Sequence, residues 1–340
     1  MKIPATVITG FLGAGKTSMV RHLLENADGR RIALIINEFG NLGIDRELLM
    51  GCPVNGCEDD NVVELANGCI CCAVADEFLP TMEMLLERPV PPDHIVIETS
   101  GLALPKPLVK AFNWPEIRSR VTVDGVIAVI DAPAVASGRF ADDPDAVRAE
   151  RPADENIDHE SPLEEVFEDQ ILCADLVALN KTDVLSKTEI AFVRAEIARI
   201  SAVRIVESVH GAVDVRVILG IGAAAEDDLD SRKSHHDGDE GHDHDDFDSF
   251  IVDLESINDP QALEARIRTA TEAHDILRVK GFIHVPGKEM RHVVQGVGCR
   301  INRYYDRPWR PDEERRSRLV VIGQKGLDQA AIQATLWTLS

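Results

Sequence analysis

The stretch that decides the fold lies near the N-terminus and reads Gly10-Phe-Leu-Gly-Ala-Gly15-Lys16-Thr17. It follows a β-branched run, Ala5–Thr9, and leads into an apolar-periodic segment that begins at Met19. A strand, a glycine-rich loop and a helix in this order form the context of a P-loop. In such a loop, backbone N–H groups surround phosphates at the positive end of the helix, Lys16 adds charge, and the Thr17 hydroxyl can bind Mg²⁺. The predicted nucleotide contacts from this stretch are Gly10, Gly13, Ala14, Gly15, Lys16, Thr17 and Ser18.

The chain on either side of this loop alternates short β-branched runs with helical patterns, which predicts an α/β fold with a mostly parallel sheet and helices on both faces. The predicted buried strands are Ala5–Thr9, Arg31–Ile36, His94–Ile97, Gly125–Ile130 and Leu176–Leu179. A smaller α+β domain is predicted to follow. Its expected elements are strands at Phe250–Leu254, Leu277–Val285 and Leu319–Gly323, a helix opened by Asp259-Pro260, and a final helix from about Leu327.

Two further motifs fix the expected nucleotide. Asn180-Lys181-Thr182-Asp183 follows a late strand, and a carboxylate at Asp183 can accept hydrogen bonds from both N1 and N2 of guanine. Adenine offers no such donor pair, so the motif favours GTP over ATP. Glu98-Thr-Ser-Gly101 ends another strand, where Glu98 could hold the magnesium shell and Gly101 could approach the γ-phosphate. Lys16 and Glu98 are the predicted catalytic residues.

Composition limits the possible partners. The 340 residues carry 59 acidic and 36 basic side chains, a formal net charge of -23, which opposes binding to nucleic acids and to anionic membranes. Without a membrane-spanning apolar run or a signal peptide, the chain is expected to be soluble and cytoplasmic. In a reducing cytosol its seven cysteines are not expected to form a disulfide framework, and the cluster at Cys69–Cys72 is expected to bind metal or, less readily, to serve redox chemistry.

Three of these cysteines lie within four residues, at Cys69, Cys71 and Cys72, after the second predicted strand and before the Glu98 strand. Close thiolates supply soft ligands to a divalent ion or Cu(I), with a carboxylate, histidine or water completing the shell. P-loop GTPases place their mobile switches in this region of the chain. The sequence therefore predicts a cysteine metal site beside the nucleotide. Whether Cys52 and Cys57 extend it stays open.

Domain limits follow from shifts in composition. Residues 1–224 are predicted to form the nucleotide domain, interrupted by a solvated acidic insertion at about 137–162. Residues 225–248, rich in Asp and His, are predicted to be a flexible linker whose histidines either capture metal or are merely compositional. Residues 249–340 form the predicted C-terminal domain.

Taken together, five motifs make the chain resemble the CobW family of metal-handling P-loop GTPases, of the SIMIBI type, over nearly its whole length. In chain order they are the P-loop, Asn37-Glu38-Phe39-Gly40, Gly68-Cys-Ile-Cys-Cys72, Glu98-Thr-Ser-Gly101 and Asn180-Lys-Thr-Asp183. The segments Arg278-Val-Lys280-Gly281 and Gln295-Gly296 look like the C-terminal domain of the same family.

This resemblance implies a slow GTPase and metallochaperone that loads Co(II), or alternatively Zn(II), and releases it when GTP is hydrolysed. It maps Cys69, Cys71 and Cys72 onto a CxCC metal motif and Glu38 onto the motif nearest the first switch, as a further candidate ligand. It also implies GTP and Mg²⁺ as cofactors and a metal-accepting client such as a cobaltochelatase. The expected state is a monomer or weak homodimer. Where many relatives carry Glu, this chain has Asn41, which removes one carboxylate near the metal.

Two other classes of function are compatible with the residues alone. A passive metal buffer would use the thiols and histidines as ligands, with metal affinity independent of nucleotide. A P-loop kinase would transfer phosphate to a small molecule, which the guanine-type Asp183 disfavours.

Overall fold

The computed structural model describes residues 2–27, 29–36, 62–64, 78–141, 143, 162–219, 247–310 and 313–337, with the backbone alone at 62–64. The chain divides into two compact units, Lys2–Val213 and Asp214–Ser340. The predicted limits at 224 and 249 stay a prediction, since residues 220–246 lie outside the described ranges.

The N-terminal unit is built on a parallel sheet, which confirms the predicted α/β class. Its described strands are β1 Ile3–Thr9, β2 Ile32–Ile36, β3 Val62–Glu64, β4 His94–Glu98, β5 Val121–Asp131, β6 Leu176–Asn180 and β7 Arg204–Glu207. They are arranged in the order β3-β2-β4-β1-β5-β6-β7. Because β1 lies at the centre and all pairs are parallel, the carboxyl ends of β4, β5 and β6 converge around the loop after β1.

Helices connect these strands and bury their apolar sides against the sheet. They are α1 Lys16–Glu25, α2 Leu79–Leu86, α3 Pro105–Ala111, α4 Pro115–Arg118, α5 Ala132–Ala136, α6 Leu163–Cys173 and α7 Lys187–Ile200. Local sequence sets several of their starts. In α7, for example, the Ser186 hydroxyl accepts from the Glu189 N–H while the Glu189 carboxylate accepts from the Ser186 N–H, a reciprocal cap.

The C-terminal unit contains an antiparallel sheet with helices, the predicted α+β arrangement. Its elements are α8 Val215–Leu219, β8 Phe247–Leu254, α9 Pro260–Ala273, β9 Ile276–Ile283, β10 Met290–Val297, β11 Arg300–Pro308, β12 Ser317–Gln324 and α10 Gln329–Trp337. The strand order is β11-β10-β9-β12-β8. Asp259 begins α9 as predicted, because its carboxylate accepts from the N–H groups of Gln261 and Ala262.

One face of this second sheet packs on α9 and α10. The shared core includes Val252, Leu263, Ile267, Val279, Val294, Leu319, Val321 and Ile332. Strand side chains alternate between faces, so the residues between these core positions point to the opposite face.

Several expected boundaries were wrong. Strand β5 begins at Val121 rather than Gly125, and its pairing with β1 shifts register between Ala5 and Thr6. Strands β3, β7, β10 and β11 were not predicted. No helix in the described ranges has the length and apolar character needed to cross a bilayer.

Candidate functional site

The loop between β1 and α1 has the backbone shape that phosphate binding requires. Gly15 precedes α1 with φ +103°, and a Cβ there would lie 2.1 Å from the Asn180 Nδ2 atom. Only glycine satisfies both the conformation and the contact. Within the described chain no side chain caps α1, so the N–H groups of its first turn point toward the loop without a side-chain acceptor. Gly10 and Gly13 also have positive φ.

Lys16 and Thr17 occupy the first turn of α1, as predicted. Lys16 is only 6% exposed, and its Nζ donates to the Phe11 carbonyl oxygen across the loop at 3.3 Å. Its ammonium group is therefore held over the concave side of the loop. Ala14 is buried, and Ser18 is exposed in the same turn.

A hydroxyl and a carboxylate meet at the carboxyl end of the sheet. The Thr17 hydroxyl donates to Glu98 Oε1 at 2.9 Å, and Glu98 is 2% exposed at the end of β4. Oxygen ligands of this kind are what Mg²⁺ takes at nucleotide sites, usually together with phosphate and water. The pair fits the predicted magnesium site, with Thr17 as a direct ligand and Glu98 holding the shell.

The segment after β4 lies against the phosphate loop. A Cβ on Gly101 would be 2.7 Å from the Leu12 backbone nitrogen, so the two backbones touch at this point. The Gln170 side chain of α6 fixes the segment from the other side, because its Nε2 donates to the carbonyls of Gly101 at 3.1 Å and Ala103 at 3.3 Å. Gly101 therefore lies directly beside the phosphate loop, and its approach to the γ-phosphate stays a prediction.

Asn180 joins two loops. Its Nδ2 donates to the Ala14 carbonyl at 2.9 Å, while its Oδ1 accepts from the Ser208 hydroxyl and the Gly211 N–H, both at 3.0 Å. The side chain is 2% exposed. The first residue of the predicted guanine motif therefore holds the phosphate loop and the loop after β7 together.

Lys181 and Asp183 of that motif are at least partly exposed. Lys181 has φ +61°, and its Nζ lies 2.5 Å from Oδ2 of the buried Asp131 at the end of β5. Asp183 is exposed in the turn Thr182–Val184. The Asp183 carboxylate lies outside the sheet core, and its contact with guanine stays a prediction.

An apolar cluster supports the phosphate loop from the side of α6. The ring of Phe11 lies 5.4 Å from that of Phe140 and 6.1 Å from that of Phe167. Ala141 and Leu102 belong to the same buried cluster. The prediction that residues 137–162 form a solvated insertion is therefore wrong at Phe140 and Ala141, whose apolar surfaces pack on the loop. Residues 144–161 lie outside the described ranges.

The predicted metal ligands are not among the described residues. Cys69, Cys71, Cys72 and Glu38 all lie in the stretches left out, as do Asn41, Cys52, Cys57 and the His-rich tract. In the described chain, no group of three or more His, Cys, Asp or Glu side chains could hold a metal ion. The predicted cysteine site stays a prediction.

Sequence reasoning missed four residues that the fold brings to the site: Asp131, Gln170, Ser208 and Gly211. The run Ser208-Val-His-Gly211 after β7 was a recognisable turn signal, but its link to Asn180 depends on β6 pairing with β7. Asp131 stands in an apolar segment and Gln170 follows the acidic pair Glu168-Asp169, and nothing local marks either of them as a site residue.

Two protein-family models match this chain, one in each of the two units. Residues 4–207 match the family model described as CobW/HypB/UreG, nucleotide-binding domain. Residues 247–339 match the model described as cobalamin synthesis protein cobW C-terminal domain. The two models together span both units.

Curated relatives match over almost the full length. A zinc chaperone CobW from Sinorhizobium sp is 56% identical, with 99% of this chain and 97% of the relative covered. A protein of the same name from Pseudomonas aeruginosa is also 56% identical, covering 99% and 91%. The zinc chaperone YjiA of Escherichia coli is 32% identical, covering 94% of each chain. The crystal structure of Zn(II)-bound YjiA GTPase aligns with 25% identity, 98% coverage of each chain and a TM-score of 0.43.

Proposed function

The chain belongs to the CobW family of P-loop GTPases, and from that premise we propose that it is a cytoplasmic GTP-dependent metallochaperone whose cargo is Zn(II). The observation that supports GTP binding most directly is the Asn180 side chain, which joins the phosphate loop to the loop after β7. The two 56%-identical relatives, both named zinc chaperones, support Zn(II) as the cargo.

In the proposed reaction, water attacks the γ-phosphorus of GTP, and the bond to the β–γ bridging oxygen breaks to leave GDP and phosphate. Lys16 and the N–H groups of the first turn of α1 neutralise the charge that develops on the phosphate oxygens. Thr17 and Glu98 would hold Mg²⁺, which would supply further neutralisation of the phosphate charge. Intrinsic turnover is expected to be slow.

The cargo is proposed to bind at Cys69, Cys71 and Cys72, with Glu38 as a further candidate ligand. Thiolates bind zinc well, and zinc lies above cobalt in the ordinary order of affinities for such ligands. GTP is proposed to order these segments into a tight site, and hydrolysis to loosen it so that a client protein receives the metal. Linked binding is reciprocal, so a metal that prefers the GTP state must tighten GTP binding by the same factor.

A second cargo, Co(II) destined for a cobaltochelatase of corrin synthesis, is favoured by one finding: the family model matched by residues 247–339 carries cobalamin synthesis in its description. Affinity for cobalt alone would not establish it, because thiolate sites bind zinc more tightly. The supply of each metal in the cell and the identity of the client protein would then decide whether the cargo is Co(II) or Zn(II).

The test is a titration of Zn(II) and Co(II) into the reduced protein with Mg²⁺ present, in three states: without nucleotide, with GDP and with a non-hydrolysable GTP analogue. Thiolate-to-cobalt charge-transfer absorption and a competing zinc chelator report the two metals. We expect a tight site only with the GTP analogue, lost in Cys71→Ala and retained in Cys299→Ala, which removes an exposed cysteine elsewhere. Equal metal affinity in all three states would overturn the chaperone mechanism and favour a passive buffer.

A further inference from the structure

Helix α6 carries a buried amide on a face that is otherwise apolar. Its buried residues are Leu163, Val166, Gln170 and Ile171, and Gln170 is 2% exposed. These positions follow the helical period, so an apolar side chain at 170 would complete the face. A buried amide needs partners for its donors, and the groups that Gln170 contacts therefore explain why it stands there.

The amide of Gln170 holds the backbone of the segment Gly101–Ala103 after β4, which we call the Gly101 segment. Its Nε2 atom donates to the Gly101 carbonyl oxygen at 3.1 Å and to the Ala103 carbonyl oxygen at 3.3 Å. Because both partners are carbonyl oxygens, only the amide nitrogen can face them, and its two protons supply one hydrogen bond to each. The side chain therefore fixes this backbone at two points.

The same helix also packs on the phosphate loop. Phe11 of the loop and Leu102 of the Gly101 segment belong to one buried cluster with residues of α6. The ring of Phe167 in α6 lies 6.1 Å from that of Phe11. Gly101 approaches the loop so closely that a Cβ there would lie 2.7 Å from the Leu12 nitrogen. Helix α6 thus fixes the Gly101 segment and the phosphate loop relative to each other.

We propose that Gln170 is a positioning residue of the GTPase reaction, which holds the Gly101 segment ready to bind the γ-phosphate and thereby sets the preference for GTP over GDP. This inference rests on the proposed function and deepens it. Gln170 acts through the backbone of the Gly101 segment rather than by touching the nucleotide. Without its hydrogen bonds the segment would be freer, and binding the γ-phosphate would carry the additional cost of ordering it. GDP lacks that phosphate, so its affinity should not depend on Gln170.

A purely structural role for Gln170 makes a different prediction. The carbonyls of Gly101 and Ala103 need hydrogen-bond donors in the folded chain whichever nucleotide is bound. If Gln170 did no more than supply these donors, its replacement would lower stability and would affect GTP and GDP equally. The ratio of the two affinities therefore distinguishes positioning from structural support.

The test measures the affinity of the full chain for GDP and for a non-hydrolysable GTP analogue with Mg²⁺ present, and kcat for GTP hydrolysis from phosphate release. Gln170→Met keeps the length of the side chain and removes the donor. We expect it to weaken binding of the GTP analogue by about fivefold or more, to change GDP affinity by less than about twofold, and to lower kcat by about tenfold. Gln170→Glu should cause a larger loss, because its carboxylate would face two carbonyl oxygens.

Two control variants separate positioning from a general loss of stability. Glu168→Met places the same new side chain at an exposed position of α6 and should bind and hydrolyse GTP like the native chain. Val193→Ala opens a cavity in the completely buried core beside α7. It should lower the melting temperature while leaving the ratio of GTP-analogue to GDP affinity unchanged.

Three results would overturn the positioning role in a native chain that hydrolyses GTP. They are an unchanged affinity ratio in Gln170→Met, tighter binding of the GTP analogue by that variant, and an equal change of the ratio in Val193→Ala, which destabilisation alone would explain. Absence of GTP hydrolysis by the native chain would instead refute the proposed function, and this inference with it. The two failures are therefore distinguished by the native chain.

Discussion

The hydrogen bonds of Asn180 give the sharpest test of how the nucleotide site is held together. Asn180→Ala removes one bond to the Ala14 carbonyl and two that Oδ1 accepts, from Ser208 and Gly211. Each such bond contributes about 1 kcal/mol net, so the substitution should cost about 3 kcal/mol. For a unit of this size, 1 kcal/mol shifts the melting temperature by about 2–4 °C, and we expect a loss of about 6–12 °C.

A double-mutant cycle then isolates one bond. Ser208→Ala alone should cost about 1 kcal/mol, because its hydroxyl donates to Asn180 Oδ1. In the Asn180→Ala background the partner is already gone, and Ser208→Ala should cost nothing further. The coupling energy is therefore expected to be about 1 kcal/mol.

Calorimetry of the nucleotide-free chain measures these shifts and resolves the unfolding of the two units. Asn113→Ala, at an exposed position of the same unit, is the control and should melt like the native chain. Two results would refute the reasoning: an Asn180→Ala shift no larger than that of the control, or strict additivity of Asn180→Ala and Ser208→Ala.

Three other predictions concern the segment after β4, the loop that carries the predicted guanine motif, and the C-terminal unit. Gly101→Ala should lower the GTP hydrolysis rate by about tenfold or more, because the new Cβ would lie 2.7 Å from the Leu12 nitrogen; an unchanged rate of phosphate release would contradict the contact. Asp131→Asn should weaken GTP binding by about fivefold, since it removes the charge partner of the half-exposed Lys181; a nucleotide titration with unchanged affinity would count against this role. Burial lowers the pKa of His292, so the unfolded chain binds the proton more readily and stability should fall as the pH drops below about 6.5. His292→Phe should flatten that loss, and melting curves with the same slope in both proteins would disprove it.

The sequence was sufficient for the centre of the fold because local and global signals agree there. The stretch from β1 to α1 combines a buried β-branched run, glycines with positive φ and an apolar-periodic helix. Asn180 was found for a similar reason, since its motif follows a strand that is apolar along its length. These residues are recognisable without knowledge of their neighbours in space.

Strands and side chains whose positions depend on tertiary contacts could not be predicted from local sequence. Strand β11 reads Arg-Ile-Asn-Arg-Tyr-Tyr-Asp-Arg-Pro and lacks apolar alternation, because it lies at the edge of its sheet and stays half exposed. Strand β10 buries Arg291, His292 and Gln295, which look like surface residues until their cross-strand neighbours are known. Gln170 reaches Gly101, 69 positions away, through a contact that only the folded sheet creates.

Side-chain hydrogen bonds hold the phosphate loop on two sides, and their strength bears on the proposed switch. On the base side, one buried Asn180 side chain makes three hydrogen bonds and holds two loops, so rearrangement there would cost several kcal/mol. On the side of the Gly101 segment, the Gln170 amide donates to the carbonyls of Gly101 and Ala103, and the Thr99 hydroxyl donates to that of Thr9 at 3.1 Å. Losing the Gln170 hydrogen bonds alone would cost about 1–3 kcal/mol, which is the range of free energy by which one ligand ordinarily alters the binding of another. We therefore expect the base side to bind GTP and GDP alike, and we propose that the Gly101 segment responds to the γ-phosphate.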